Sequence, residues 1–216
     1  MAEREKTWMT QLNSEYGAKS LKRSDLRPDP VGQFRDWFEE GKGTLREPTA
    51  MALATATASG RPSQRMVLMK EFDREGILFG TSYESRKAKE LSENPHASLL
   101  FYWPALERQV RITGPISRAS VTESDEIFMA RRRASRIAAI VSTQSYPIGS
   151  RDRLEELYAE ETAKREGSEV LRPATWGGYR VHFETFEFWQ GGEHRLHDRF
   201  LYTRAGNSWK IERLQP

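Results

Sequence analysis

The apolar positions of this chain follow two periods. Val31, Phe34, Trp37 and Phe38 recur at helical spacing, whereas from Ala50 onward apolar residues recur mostly at every second position. The helix has its own start and stop signals: Asp29 is a suitable N-cap, Pro30 suits the first helical position, and Gly41 and Gly43 end the stripe. The alternating part predicts strands over 51–57, 64–70 and 77–81, joined by Ser59-Gly60-Arg61-Pro62 and Asp73-Arg74-Glu75-Gly76. A Ser85 cap predicts a short helix over 86–94, followed by strands over 97–103 and 108–117. Helical patterns over 123–132 and 150–165 flank an irregular Ser/Gln/Pro segment, and closing strands run over 179–189, 195–204 and 209–213. Many antiparallel strands in short-turn order, with helices inserted late, predict a mainly β fold: an antiparallel β-barrel with peripheral helices.

Residues 1–20 are polar and lack a sustained period, so they are expected to form a mobile arm that orders only against a partner or ligand. The remaining 21–216 suffice for one core and one domain. Charge alters this picture little: 34 Lys and Arg against 31 Asp and Glu leave only +3, too little to draw nucleic acid by bulk attraction. The absence of Cys excludes disulfides and thiolate metal sites and fits a reducing compartment. The N-terminus, MAEREKTWMTQL, is too charged for a secretory signal, and no apolar run approaches the roughly 20 residues needed to span a bilayer. A soluble, cytoplasmic protein with neither membrane nor nucleic-acid partner is expected. His96, His182, His194 and His197 have no zinc-site spacing.

The densest chemistry lies in FEFWQGGEHRLHDRF, residues 186–200. Phe186, Phe188 and Trp189 suggest a strand, Gly191-Gly192 a turn, and Leu196, Phe200 and Tyr202 a returning strand. Arg195, His197 and Arg199 would then share one face. Three potential cations on one face suit an anionic or polar aromatic ligand, and Trp189 beside them offers a flat surface for it; a solvated hairpin face is the alternative. Upstream, the segment Gln64 to Lys70 sets Arg65, Val67 and Met69 on one strand face and Met66, Leu68 and Lys70 on the other. By itself that segment reads more readily as a strand with both ends exposed to solvent. Ser85-Arg86-Lys87 adds a basic pair at a helix start, where free N–H groups and the helix dipole favour phosphate. Arg131-Arg132-Arg133-Ala134-Ser135 is a second candidate anion grip, or a solvated helix end.

The segment 186–200 closely resembles the C-terminal motif of the pyridoxine (pyridoxamine) 5′-phosphate oxidases, which are FMN-dependent. The resemblance runs from Leu21-Lys22-Arg23-Ser24-Asp25-Leu26 to Glu212-Arg213-Leu214-Gln215-Pro216. It implies the FMN-binding split β-barrel fold and a homodimer with flavin sites shared between chains. It also implies FMN contacts from Arg65, Met66, Val67, Leu68, Met69, Lys70, Thr81, Arg86, Lys87, Gln109, Gln144, Ser145, Trp189 and Arg199. Lys70, Ile127, Arg131 and Ser135 would meet the substrate phosphate, and Arg195, Leu196 and His197 the pyridine ring, with Arg195 and His197 as the catalytic pair. The implied reaction oxidises pyridoxamine or pyridoxine 5′-phosphate to pyridoxal 5′-phosphate while O₂ becomes H₂O₂. Four positions depart from the family pattern: Gly80 for an aromatic residue, Ile127 for a tyrosine, Arg132 for a proline and Ile140 for a tryptophan. They leave two alternatives open, a related FMN oxidase of the phenazine-biosynthesis type and a non-catalytic flavin or pyridoxal-phosphate binder.

Overall fold

A computed structural model describes residues 15–17 and 19–216. Most of the arm expected over 1–20 therefore lies outside the described residues. The described chain holds ten strands: β1 (Ala50–Ala56), β2 (Pro62–Leu68), β3 (Glu71–Phe72), β4 (Ile77–Ser82), β5 (His96–Trp103), β6 (Arg108–Arg118), β7 (Trp176–Val181), β8 (Thr185–Gln190), β9 (Asp198–Ala205) and β10 (Ser208–Leu214). Five α-helices accompany them: α1 (Pro30–Lys42), α2 (Arg86–Glu93), α3 (Val121–Met129), α4 (Arg133–Val141) and α5 (Arg151–Lys164). None is long and apolar enough to cross a membrane.

All strand pairs are antiparallel, in the order β10-β9-β8-β6-β5-β1-β2, with β7 joining β6 to β4. The long strand β6 makes this possible. Its first half pairs with β8 and its last three residues with β7, so one strand belongs both to the open sheet and to a curled one. The curl closes where the Lys70 amide donates to the Leu78 carbonyl at 2.8 Å, linking the end of β2 to β4. The result is a split barrel with five helices around it.

Two clusters fill the interior. Strand alternation sends Leu53, Leu99, Phe101, Val110, Ile112, Phe186 and Phe188 inward, and α1 covers one end of that core with its predicted stripe. Phe34 meets Phe101 at 5.1 Å and Trp37 meets Phe188 edge-on at 5.2 Å, contacts that suit aromatic quadrupoles. The entry to α1 is as expected, with the Asp29 carboxylate accepting from the Val31 and Gly32 amides. A smaller cluster of Leu78, Ile127, Phe128, Ile137, Val170 and Trp176 joins α3 and α4 to the barrel wall.

Three expectations need correction. The single strand over 179–189 is two, β7 and β8, because the register against β6 slips by one residue: Ile116 pairs with Val181, but Thr113 pairs with Thr185. This bulge around Phe183 bends the chain away to β4, and Gly114 opposite it leaves room that a Cβ would deny to the His182 carbonyl. The helix expected to run to 132 ends at Met129, and 133–141, read as irregular, forms α4. Its apolar stripe is only Ile137 deep, too weak a period to recognise. The returning strand begins at Asp198, not Arg195. Residues Gly191 to His197 form a wider loop with a 3₁₀ turn, and His194 (φ 54°) and Arg195 (φ 64°) adopt the left-handed conformation. Arg195 and His197 therefore do not share a strand face with Arg199, and Leu196 is exposed.

Candidate active site

A cleft of about 550 Å³ runs along edge strand β2. Its lining includes Arg65, Met66, Val67, Leu68 and Lys70 from β2 and its end, Thr81 from β4, Arg86 and Lys87 from α2, and Arg131, Gln144 and Ser145 from the segments around α4. Every one of these was singled out from the sequence. The cleft excludes Met69, which is buried in the main core, as well as Ile127 and Ser135. Ile127 packs in the smaller core. Gln109, Trp189, Arg195, Leu196, His197 and Arg199 do not reach the cleft either.

At the floor of the cleft, Ser85 caps α2 by accepting from the Ala88 amide and donates to the Ser82 carbonyl at 2.7 Å. The Arg86 amide, free at the helix start, donates to Ser145 Oγ at 3.2 Å. Lys87 is 6% exposed and donates to Gln144 Oε1 (2.8 Å) and Thr81 Oγ1 (3.0 Å). Burial foremost, and then the positive charge of Arg65, lower its pKa to about 8, against the opposing pull of Glu90. Arg65 reaches back across β1, donating to Thr55 Oγ1 (2.6 Å), Ser63 Oγ (2.5 Å) and the Leu53 carbonyl (3.3 Å).

Beneath these cations lies Glu90, a residue to which sequence reasoning gave no role. Its Oε1 accepts from Arg86 Nε at 2.8 Å, and its Oε2 accepts from Thr55 and Ser63 at 2.5 Å each. Burial alone would raise its pKa, but hydrogen bonds from Ser63, Thr55 and Arg86 hold it at about 2. The signal was present in the sequence, since Glu90 stands one helical turn after Arg86. Three cations less one carboxylate leave +2, which matches a phosphate monoester dianion.

Lys70 and Arg131 form a second cationic group in the same cleft. Among the described residues, neither has a carboxylate within ion-pair distance. Burial lowers the pKa of both, and Arg131 lowers that of Lys70 further. The Arg131 guanidinium stacks 5.2 Å from the Trp176 ring centroid and donates to the Ser135 carbonyl at 2.8 Å, while its Nε is buried without a partner. Trp176 in turn covers Gly80, where a Cβ would press into the indole.

The other predicted residues gather elsewhere on the sheet. Gln109, Trp189 and Arg199 are directly paired across β6, β8 and β9 and face away from the core in one row. From β2 to β8 is four strand spacings, about 19 Å along the sheet. The His197 ring lies 4.7 Å from Trp189, and its Nδ1 accepts from the Gly192 amide at 3.2 Å. Burial, and then Arg195 and Arg199, push the His197 pKa down, which favours the neutral ring; the bond from Gly192 then leaves the proton on Nε2. Tyr16, also unforeseen, meets both rings edge-on at 5.4 and 5.3 Å, and Arg195 lies 5.6 Å from its ring centroid. No periodicity around Tyr16 could have revealed this contact.

The fold is the split barrel of FMN-binding proteins. An FMN-binding, pyridoxamine 5′-phosphate oxidase-related protein from Nostoc punctiforme shares it with a TM-score of 0.72 at 17% identity, over 88% of this chain and 100% of its own. The chain belongs to the pyridoxine/pyridoxamine 5′-phosphate oxidase family. Residues 38–164 match the pyridoxamine 5′-phosphate oxidase family, and 176–216 match the pyridoxine 5′-phosphate oxidase C-terminal dimerisation region. A pyridoxine/pyridoxamine 5′-phosphate oxidase from Rubrobacter xylanophilus is 52% identical over 206 residues, 95% of either chain. One from a Nostoc species is 49% identical over 207 residues, covering 95% of this chain and 97% of its own. Among solved structures, PhzG from Burkholderia lata, in complex with tetrahydrophenazine-1-carboxylic acid, has a TM-score of 0.86 at 34% identity, over 92% of this chain and 99% of its own.

Proposed function

We propose that the protein is an FMN-dependent oxidase that converts pyridoxamine 5′-phosphate or pyridoxine 5′-phosphate to pyridoxal 5′-phosphate, working as a homodimer. The carrying observation is that one cleft holds two separate cationic groups. Arg65, Arg86 and Lys87 suit the cofactor phosphate, and Lys70 with Arg131 suits the phosphate of a substrate beside it. What the chain lacks and FMN brings is a two-electron acceptor; with O₂ as final oxidant, the amine substrate and water yield aldehyde, ammonia and H₂O₂.

The protein's share is binding and orientation. Lys70 and the Arg131 guanidinium would hold the substrate phosphate, while Thr81, Gln144 and Ser145 offer neutral polar groups to the cofactor. His197, with its proton on Nε2, presents a donor to the substrate's amine or alcohol, so it positions the reacting carbon rather than taking its proton. Arg195, on the same loop, adds a positive charge over the ring. Trp189, Arg195, His197 and Arg199 would complete the cleft of a second chain. The match of 176–216 to a dimerisation region supports this arrangement, as do the exposed apolar side chains Met66, Leu68, Tyr102 and Tyr146.

A second reading, an FMN oxidase of a phosphate-free substrate, draws on Ile127, an apolar side chain packed in the smaller core at the position where the resemblance implies a tyrosine hydroxyl for the phosphate. Anaerobic addition of pyridoxamine 5′-phosphate to the flavin-loaded protein tests both. The proposed oxidase bleaches the flavin absorbance with the phosphorylated substrate and far less with pyridoxamine. Equal bleaching favours the second reading, and no bleaching by either removes turnover of B6 compounds.

A further inference from the structure

We propose that Glu90 is the built-in counter-anion of the phosphate cradle: it holds Arg65 and Arg86 in place when no phosphate is bound, competes with the phosphate for them, and thereby limits how tightly FMN is retained. This rests on the reading of the cleft as an FMN site.

The geometry carries the proposal. Glu90 is 4% exposed, so water screens its charge little. Each carboxylate oxygen is engaged, Oε1 by Arg86 and Oε2 by Thr55, Ser63 and, at 3.4 Å, Arg65. The hydroxyls need only an acceptor, which an amide would also provide; a full negative charge is matched only by the arginines. The two arginines depend on it differently. Arg65 has further acceptors in Leu53, Thr55 and Ser63, whereas the Arg86 side chain is 64% exposed and is tied, among the described residues, only to Glu90.

Two effects of Glu90 on phosphate binding oppose each other. Pinning Arg86 spares the ligand the cost of ordering one flexible side chain. Against this, a carboxylate on the same guanidinium repels a dianion bound there, and although Arg86 is exposed, Glu90 itself is shielded from water. The repulsion is the larger effect, because it acts between full charges while only one rotamer set is pinned. The carboxyl, held at about 2, keeps its charge throughout the neutral range.

The test compares wild type, Glu90→Gln and Glu90→Asp. Flavin-fluorescence titrations of the flavin-free proteins give affinities for FMN and riboflavin, and dialysis of the flavin-loaded proteins gives the rate of FMN loss. Glu90→Gln is expected to bind FMN at least about tenfold tighter and lose it correspondingly more slowly, with riboflavin affinity unchanged, because only the phosphate feels the charge. Its flavin-free form should melt at a lower temperature than wild type, and inorganic phosphate should raise that temperature more than it does for wild type. Glu90→Asp keeps the charge and should stay near wild type. Unchanged or weaker FMN binding by Glu90→Gln overturns the proposal, as does an equal shift for riboflavin or an equal effect of Gln and Asp. If flavin removal unfolds the Gln variant, the rate of FMN loss decides. A wild type that binds no FMN overturns the functional reading itself, and this proposal with it.

Discussion

The Lys87 ammonium donates to the Gln144 carbonyl oxygen at 2.8 Å, joining the first turn of α2 to a residue 57 positions later in the chain. Gln144 and Thr81, its close partners, are both neutral, so burial and then the charge of Arg65 bring the lysine to about 8 against only the weaker pull of Glu90. The direction of the pH effect follows. On the proposed reading of the cleft, phosphate binding needs the ammonium, so above about pH 8 the free protein would have to take up a proton to bind FMN. Affinity should be flat from about pH 6, where phosphate becomes dianionic, to about pH 8, and then weaken by up to about tenfold per pH unit. Lys87→Arg should remove the upper break, and riboflavin should not show it. Flavin-fluorescence titrations across this range check the profile.

Acid stability should depend on Glu90 and Glu123. Hydrogen bonds from Ser120 and Arg180 hold Glu123 at about 2, as those from Ser63, Thr55 and Arg86 hold Glu90. Both folded pKa values lie below the ordinary 4.5, so their contribution is complete above that pH and lost as pH falls through it toward about 2. Urea melts of the flavin-free protein should show midpoints falling steeply below pH 4.5. Glu90→Gln should make that fall shallower, and Glu90→Gln with Glu123→Gln shallower still.

If the flavin sites are shared between chains, two inactive variants should rescue each other. Arg86→Ala with Lys87→Ala spoils the cleft, and Arg195→Ala with His197→Ala spoils the segment that closes it. Each homodimer should be nearly inactive. After denaturation and refolding together, half of the dimers are mixed and each carries one intact site, so about a quarter of wild-type activity should return. No recovery in refolded mixtures, against full recovery of refolded wild type, would mean that both halves act within one chain.

Gly80 and Trp176 should prove energetically coupled. A Cβ at position 80 would press into the indole, so Gly80→Ala should cost about 1–3 kcal/mol through overpacking. Trp176→Leu should relieve much of that cost, giving a non-additive double variant in urea melts. Because Arg131 stacks on Trp176, the Trp176→Leu change should also raise KM for the phosphorylated substrate.

The parts of the fold that the sequence made legible are those where local signals agreed. The Asp29-Pro30 and Ser85 caps and the alternation in β1 and β2 follow from nearest neighbours along the chain, whereas the basic residues of the cleft were grouped by the family resemblance and not by any local signal. What sequence periodicity could not supply was set by distant partners. The bulge at Phe183 exists because β6 is shared by β7 and β8, and a strand pattern read locally carries no trace of a one-residue slip. The loop from Gly191 to His197 was read as a tight hairpin, yet two left-handed residues widen it. Glu90 escaped notice for a different reason: its importance lies in Arg65, 25 positions away, as much as in the nearby Arg86.

Lys70 has two attachments with different tasks. Its amide closes the barrel on Leu78, and its side chain lines the cleft. The chemistry of position 70 can therefore change by substitution, but its location cannot drift. An extra residue in the Ser59-Gly60-Arg61 turn would lengthen an exposed hairpin, whereas one beside Met69 would shift the ammonium and the β3–β4 hairpin together relative to β2. Position 70 thus couples two readouts: a change of length beside it should be seen in stability as well as in ligand binding, whereas a change of side chain should be seen in binding alone.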